Sequence, residues 1–221
     1  MTTRRHIDLS HTVEDGMVTY KGLPAPKISD FLSREASRAR YAAGTEFQIG
    51  LIEMCSNTGT YIDTPFHRYA DGVDLGGLDL DQVADVAAVT VDATGAGRSI
   101  GREALVSQDV AGKAVLIRTG WDRNWRTDKY SSEHPFLTAE AARHLVEHGA
   151  RLVGIDSFNI DDISTGERPV HTTLLAAGIP ICEHLTNLAV LPDGGYRFTA
   201  VPVKVAGMGT FPVRAYATLD T

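Results

Sequence analysis

The sequence predicts a mixed α/β domain whose core is mostly β-sheet, and three observations predict it. Segments rich in β-branched and aromatic residues outnumber segments with helical spacing. One capped helix pattern runs directly into an apolar strand, the pairing from which α/β layers are built. The 221 residues hold no internal repeat, low-complexity tract or long polar linker, so residues 1–221 are expected to form a single domain.

Ile7-Asp8-Leu9 opens as a short strand and leads into a loop punctuated by Gly16, Gly22, Pro24 and Pro26. Residues 45–55 carry β-type residues, residues 84–92 end in a Val-rich strand, and residues 113–119 form an apolar strand closed by Gly120. Thr138 is placed to cap a helix running to about His148. That helix has Ala142, Leu145 and Val146 on one face and Gly149 at its C-terminal end. Residues 151–156 follow as a strand. A shorter helix starts near His171 and ends at Gly178, and residues 179–183 return as a strand. Residues 196–205 and 213–219 alternate like two more strands around the turn at Gly207-Met208-Gly209.

Composition narrows the function classes. Hydrophobic residues make up 43% and charged residues 22%, as in soluble globular proteins. A formal charge of -7 with no Lys/Arg cluster argues against a nucleic-acid partner. No apolar run is long enough to span a membrane. The N-terminal residues lack an apolar signal core, which makes a cytoplasmic location the expectation. Cys55 and Cys182 show no metal or redox spacing and read as reduced thiols.

The most informative segment is Asn57-Thr58-Gly59-Thr60-Tyr61-Ile62-Asp63-Thr64-Pro65-Phe66-His67. In an extended chain Asn57, Tyr61, Asp63 and His67 project to one side and Ile62 and Phe66 to the other. Four polar side chains on one face are costly to bury unless they serve a site. A hairpin loop with an Asp turn and a surface His is the plainer alternative. Further along, His171 opens a helix and Glu183 ends an apolar strand, where an unpaired buried carboxylate is strongly disfavoured. Asp63, His171 and Glu183 would suit a divalent ion such as Zn²⁺, Mn²⁺ or Fe²⁺. Pairing of Glu183 with Arg118 or Arg214 is the competing reading. His11, Asp156 and Ser157 could line a pocket at strand ends, while His134, His144 and His148 read as solvent-facing. Trp121 and Trp125 follow a strand on a loop, where aromatics often frame a ligand.

The ordered blocks resemble the cyclase family of metal-dependent hydrolases, of the kynurenine formamidase and isatin hydrolase type. They include Ile7-Asp8-Leu9-Ser10-His11, the 57–67 motif, Leu116-Ile117-Arg118-Thr119-Gly120-Trp121 and Val153-Gly154-Ile155-Asp156-Ser157. They continue through His171-Thr172-Thr173-Leu174-Leu175, Glu183-His184-Leu185-Thr186-Asn187-Leu188 and Pro212-Val213-Arg214-Ala215. The resemblance implies a β-barrel-like mixed sheet with flanking helices, and a homodimer or homotetramer. It also implies hydrolysis of a cyclic or N-acyl amide, or a lactone, of a small carbonyl substrate by metal-activated water. By that resemblance Asp63, His171 and Glu183 are the metal ligands and His67 the general acid/base. Asn57, Phe66 and Trp121 are then expected to contact substrate.

The family signature reads His-x-Gly-Thr-His-x-Asp-x-Pro-x-His, and this chain has Asn57 and Tyr61 where the two leading histidines belong. Tyr ligates well only after losing a proton with a pKa of about 10. Three readings therefore stay open. The site holds one metal ion; or it holds none, with Tyr61 and His67 as the acid/base pair of a lyase, isomerase or cyclising enzyme; or it binds a small molecule without turnover.

Overall fold

The structure, a computed structural model, describes residues 3–220. Strand β1 (Arg4–Asp8) is followed by a ribbon of β2 (Lys27–Leu32) and β3 (Ile49–Glu53). The one-turn helix α1 (Arg34–Ser37) lies between those two strands, and β4 (Tyr61–Asp63) follows them. Next come β5 (Val86–Asp92), β6 (Ser99–Ile100), β7 (Ala114–Arg118) and β8 (Phe136–Leu137). Helix α2 (Ala139–Glu147), β9 (Leu152–Ile155) and helix α3 (Pro169–Ala176) continue the chain. It closes with β10 (Ile181–Glu183), β11 (Gly194–Thr199), β12 (Thr210–Pro212) and β13 (Tyr216–Asp220).

Nine strands share one curled half-barrel sheet in the order β1-β13-β11-β5-β7-β9-β10-β4-β12. The central β5, β7, β9 and β10 run parallel. Parallel strands are covered on both faces, which explains their almost unbroken apolar sequences. Alternation sends Val115, Ile117, Val153, Ile155 and Ile181 toward α2 and α3, where Leu145 and Leu174 meet them. Leu116, Leu152, Cys182 and Ile62 point the other way, into a core with Leu9 and Phe198. Burying a Leu such as Leu145 contributes about 1.5–3 kcal/mol, so the two faces together fix the strand register. Gly154 sits where a Cβ would lie 2.7 Å from Leu185 and 2.8 Å from Leu116, so this strand position has no room for a side chain.

The expected fold is borne out, with α2 capped by the Thr138 hydroxyl on the Ala141 N–H and ended by Gly149 at φ +70°. Three segments differ. The 57–67 motif is not one extended run: only residues 61–63 are strand, and Pro65 opens a 3₁₀ turn, Pro65–His67. Beyond Thr199 the strand stops, and residues 200–205 keep a single bridge, Pro202 to Val213. Pro202 has no N–H to continue a ladder. His134, read as solvent-facing, is fully buried, because its Nε2 bonds the Asp161 carbonyl at 3.0 Å. Cys182 is buried and Cys55 half-buried, both free. No helix among the described residues is long and apolar enough to cross a membrane.

Candidate active site

The register of three neighbouring strands assembles the site. Glu183 of β10 lies opposite Tyr61 of β4, and Asp63 lies opposite both Ile181 of β10 and Thr210 of β12. Directly opposed residues share a face, so Tyr61, Asp63, Glu183 and Thr210 all point toward α3. His171 descends from the first turn of that helix. Asp161 caps the same turn, accepting the N–H groups of Val170 at 2.7 Å and His171 at 3.0 Å. His67 arrives off the strand, from the 3₁₀ turn. Thr64 anchors the turn by donating its N–H (2.7 Å) and hydroxyl (3.1 Å) to the Gly209 carbonyl. A Cβ at Gly209 would collide with the His67 backbone, so glycine is required there.

Hydrogen-bond logic fixes the protons. A carboxylate only accepts, so Thr210 donates its hydroxyl to Asp63, and His67 Nδ1 at 2.8 Å must donate to Thr210. The lone pair of neutral His67 then sits on Nε2. By the same argument His171 Nδ1 donates to Asp161 at 2.6 Å, so Nε2 is the nitrogen that takes a second proton or an ion. Burial opposes charge on His171, but Asp161 and Asp63, with the charge of Glu183, outweigh it and lift its pKa to about 10. Burial raises the Glu183 carboxyl, His171 pulls against that rise, and Asp63 adds to it. Burial and the charge of Glu183 push the Tyr61 phenol well above its ordinary value. Tyr61 therefore stays protonated, donating to Glu183 Oε2 at 2.7 Å. Glu183 Oε1 accepts the Ile160 N–H at 2.7 Å.

Asp63, Asp161 and Glu183 are all buried within reach of one imidazole. Asp63 Oδ2 has no hydrogen-bond partner. It lies 3.7 Å from His171 Nε2, which lies 3.8 Å from Glu183 Oε1. Three carboxylates against one imidazolium are poorly compensated, and a divalent ion that displaced the Nε2 proton would meet the orphaned Asp63 oxygen. Ligand atoms of Asp63, His67 and His171 also lie within 4.8 Å of one another. The donor types of Asp63, His171 and Glu183 suit one ion, while the set that lies within 4.8 Å among the described residues has His67 in place of Glu183. A second ion finds no imidazoles at positions 57 and 61, and the Tyr61 hydroxyl is already engaged.

A cavity of about 270 Å³ opens over this group, and Asn57, Tyr61, His67, His171 and Glu183 all line it. Six of the residues anticipated from sequence thus converge, with Asp63 at the base. Phe66 and Trp121 do not join them. Phe66 is half-buried outside the cavity lining. Trp121 is buried against Tyr130 and Phe158, and its indole N–H donates to the Tyr130 carbonyl at 2.9 Å. Arg118 and Arg214 pair with Asp92 and Asp8 rather than with Glu183. Asp156 is a structural acceptor for Thr119 and Gly120, and His11 stacks on Trp125 at 3.9 Å.

Sequence reasoning missed Asp161, Thr210, Tyr20 and Asn159. Asn159 donates to the Tyr20 hydroxyl at 2.8 Å on the cavity wall. Asp161 carried no local signal, since it lies eight residues before Pro169 and the N-cap position itself is Arg168. Thr210 carried none.

The Cyclase family model matches residues 7–162. Kynurenine formamidase from Bacillus cereus is 31% identical over 97% of this chain and 98% of its own length. A solved structure described as a potential metal-dependent hydrolase with cyclase activity is 26% identical. It covers 99% of this chain and 100% of its own, at a TM-score of 0.81. Isatin hydrolase A from Labrenzia aggregata, 20% identical over 99% of this chain and 94% of its own, shares the fold at a TM-score of 0.81. The formamidase relative bears out the expected enzyme class, a hydrolase of C–N bonds other than peptide bonds. With the fold, the site and the relatives in agreement, the chain belongs to the cyclase family of hydrolases.

Proposed function

We propose that this protein hydrolyses the amide of a small N-acyl or cyclic amide at a single-metal site, with His67 as general acid/base. The observation that carries the reading is the unpartnered Asp63 Oδ2, facing His171 Nε2 and Glu183 in the cavity floor. Asp63, His171 and Glu183 would hold the ion. Zn²⁺ or Mn²⁺ bound there supplies Lewis-acid polarisation of the substrate carbonyl and lowers the pKa of water.

The chain's own residues do the rest. His67 Nε2 accepts a proton from water as its oxygen attacks the carbonyl carbon. His67 returns that proton to the amine nitrogen as the C–N bond breaks. Thr210 holds His67 in the tautomer that allows this, and Asp63 holds Thr210. A positioned acid/base of this kind contributes roughly 10²–10⁴-fold. Tyr61 restrains Glu183 as a neutral donor, which disfavours the metal-free reading in which Tyr61 exchanges protons with substrate.

The formamidase relatives suggest formylated arylamines as first substrates. Purified protein supplied with Zn²⁺ or Mn²⁺ is expected to release free amine from formanilide or open isatin, and His67→Ala to lower kcat at least 10²-fold. No turnover of either amide with metal bound, or unchanged kcat in His67→Ala, would sink the proposal. We also read the chain as a homodimer or homotetramer. The β2–β3 ribbon exposes Ile28, Phe31, Ile49, Leu51 and Ile52, and a two-stranded ribbon is marginal without a partner surface. Sedimentation as a monomer at micromolar concentration would contradict that.

A further inference from the structure

The cavity floor is acidic, but part of its wall is cationic. Arg68 and Arg168 line the cavity and also a groove beside it. Arg168 is half-buried, and its Nη1 donates to the main-chain carbonyls of Asp162 (3.3 Å), Thr165 (2.8 Å) and Glu167 (2.6 Å). These bonds fix the guanidinium in place without neutralising it, because carbonyls are dipoles and not charges. Among the described residues no carboxylate lies at ion-pair distance from Arg168 or Arg68. Of the nearby acids, Asp162 faces Arg98 at 3.8 Å and Glu140 faces Arg143 at 2.8 Å, while Glu167 lines the groove without coming to ion-pair distance of either arginine. Arg68 instead rests over the Tyr69 ring at 5.5 Å.

On a chain with a formal charge of -7, two uncompensated guanidiniums on one cavity wall are a local inversion of the field. Arginine presents a planar fork matched to carboxylate, and the side chain already ordered by backbone bonds loses little further entropy on binding. Leu23 and Ile163 give the same cavity an apolar stretch. We propose that Arg68 and Arg168 form an anion subsite, and that the substrate carries a carboxylate on an apolar or aromatic body. Arg68 and Arg168 receive the carboxylate while the amide meets Asp63, His171 and Glu183. The inference rests on the amide-hydrolase reading.

The test compares formanilide with the ortho, meta and para formamidobenzoates, which carry the same scissile amide with a carboxylate added. The best isomer is expected to exceed formanilide in kcat/KM at least tenfold. That ratio falls several-fold in Arg168→Gln and in Arg68→Gln, and approaches one in the double variant. Both substrates are measured on one preparation, so partial unfolding of a variant cancels from the ratio. A ratio near one in the native protein, or an unchanged ratio in the double variant, overturns the subsite.

Calorimetry with the matching aminobenzoates and aniline separates the two proposals. Arginine-dependent aminobenzoate binding without any amide cleavage keeps the subsite and removes the hydrolase reading. Cleavage of formanilide and formamidobenzoates at equal rates keeps the hydrolase and removes the subsite.

Discussion

Replacing Asp161 by Asn tests how the site is held. Asp161 is fully buried and accepts three bonds: from Val170 N–H at 2.7 Å, His171 N–H at 3.0 Å and His171 Nδ1 at 2.6 Å. A carboxamide offers one accepting oxygen, so in either orientation its NH₂ faces at least one N–H donor. Each hydrogen bond to a charged group contributes about 1.5–3 kcal/mol, and at least one is lost. At about 2–4 °C per kcal/mol for a chain of this size, the melting temperature should fall by roughly 3–12 °C. The imidazole also loses the carboxylate that makes Nε2 a better donor, and outer partners of metal-bound histidines are worth about 10–100-fold in metal affinity. Thermal unfolding and chelator competition with Zn²⁺ read the two effects separately. Metal affinity within twofold of native, whatever happens to the melting temperature, would refute the positioning role.

Gly209→Ala places a Cβ against the His67 backbone, so His67 is expected to shift and kcat to fall more than tenfold while bound metal is retained; kinetics paired with metal analysis check this. Tyr61→Phe strips a donor from buried Glu183 and should cost about 1–3 kcal/mol in denaturant unfolding. Its kcat should drop far less than that of His67→Ala, and an equal drop would restore Tyr61 as an acid/base. His11 gives a pH signature. Burial, against the weaker opposing charge of Asp122, lowers its pKa to about 4 from 6.5. The unfolded state therefore binds the proton first as pH falls. Stability is complete above pH 6.5 and lost progressively down to about pH 4, by up to roughly 3 kcal/mol. His11→Phe should flatten that slope in urea melts between pH 4 and 7, and an unchanged slope would rule His11 out as its source.

Local chemistry was legible in the sequence wherever one turn decides it. The Thr138 cap, the Gly149 stop and the apolar runs of β5, β7 and β9 are set by neighbours a few residues apart. The site was legible only in part, because strand register and not spacing brings residues 61–63, 183 and 210 together. Asp63, His171 and Glu183 were grouped by donor type and tied together by the family resemblance, while Thr210 is brought in only by the pairing of β12 with β4. The 57–67 motif shows a second limit. Alternation correctly placed Tyr61 and Asp63 on one face, but Pro65 turned the chain, so His67 reaches the cavity by a 3₁₀ turn locked under Gly209. Trp121 shows a third. A loop aromatic after a strand suits a ligand or a core equally, and the Tyr130 carbonyl that takes its indole N–H lies nine residues away.

The central claim is that one divalent ion, held by Asp63, His171 and Glu183, supports amide hydrolysis. Titrating metal-free protein with Zn²⁺ or Mn²⁺, while following bound metal and formamide hydrolysis together, tests it most directly. Both signals should saturate at one equivalent per chain. Saturation at two equivalents, or full activity before any metal is added, would contradict the account.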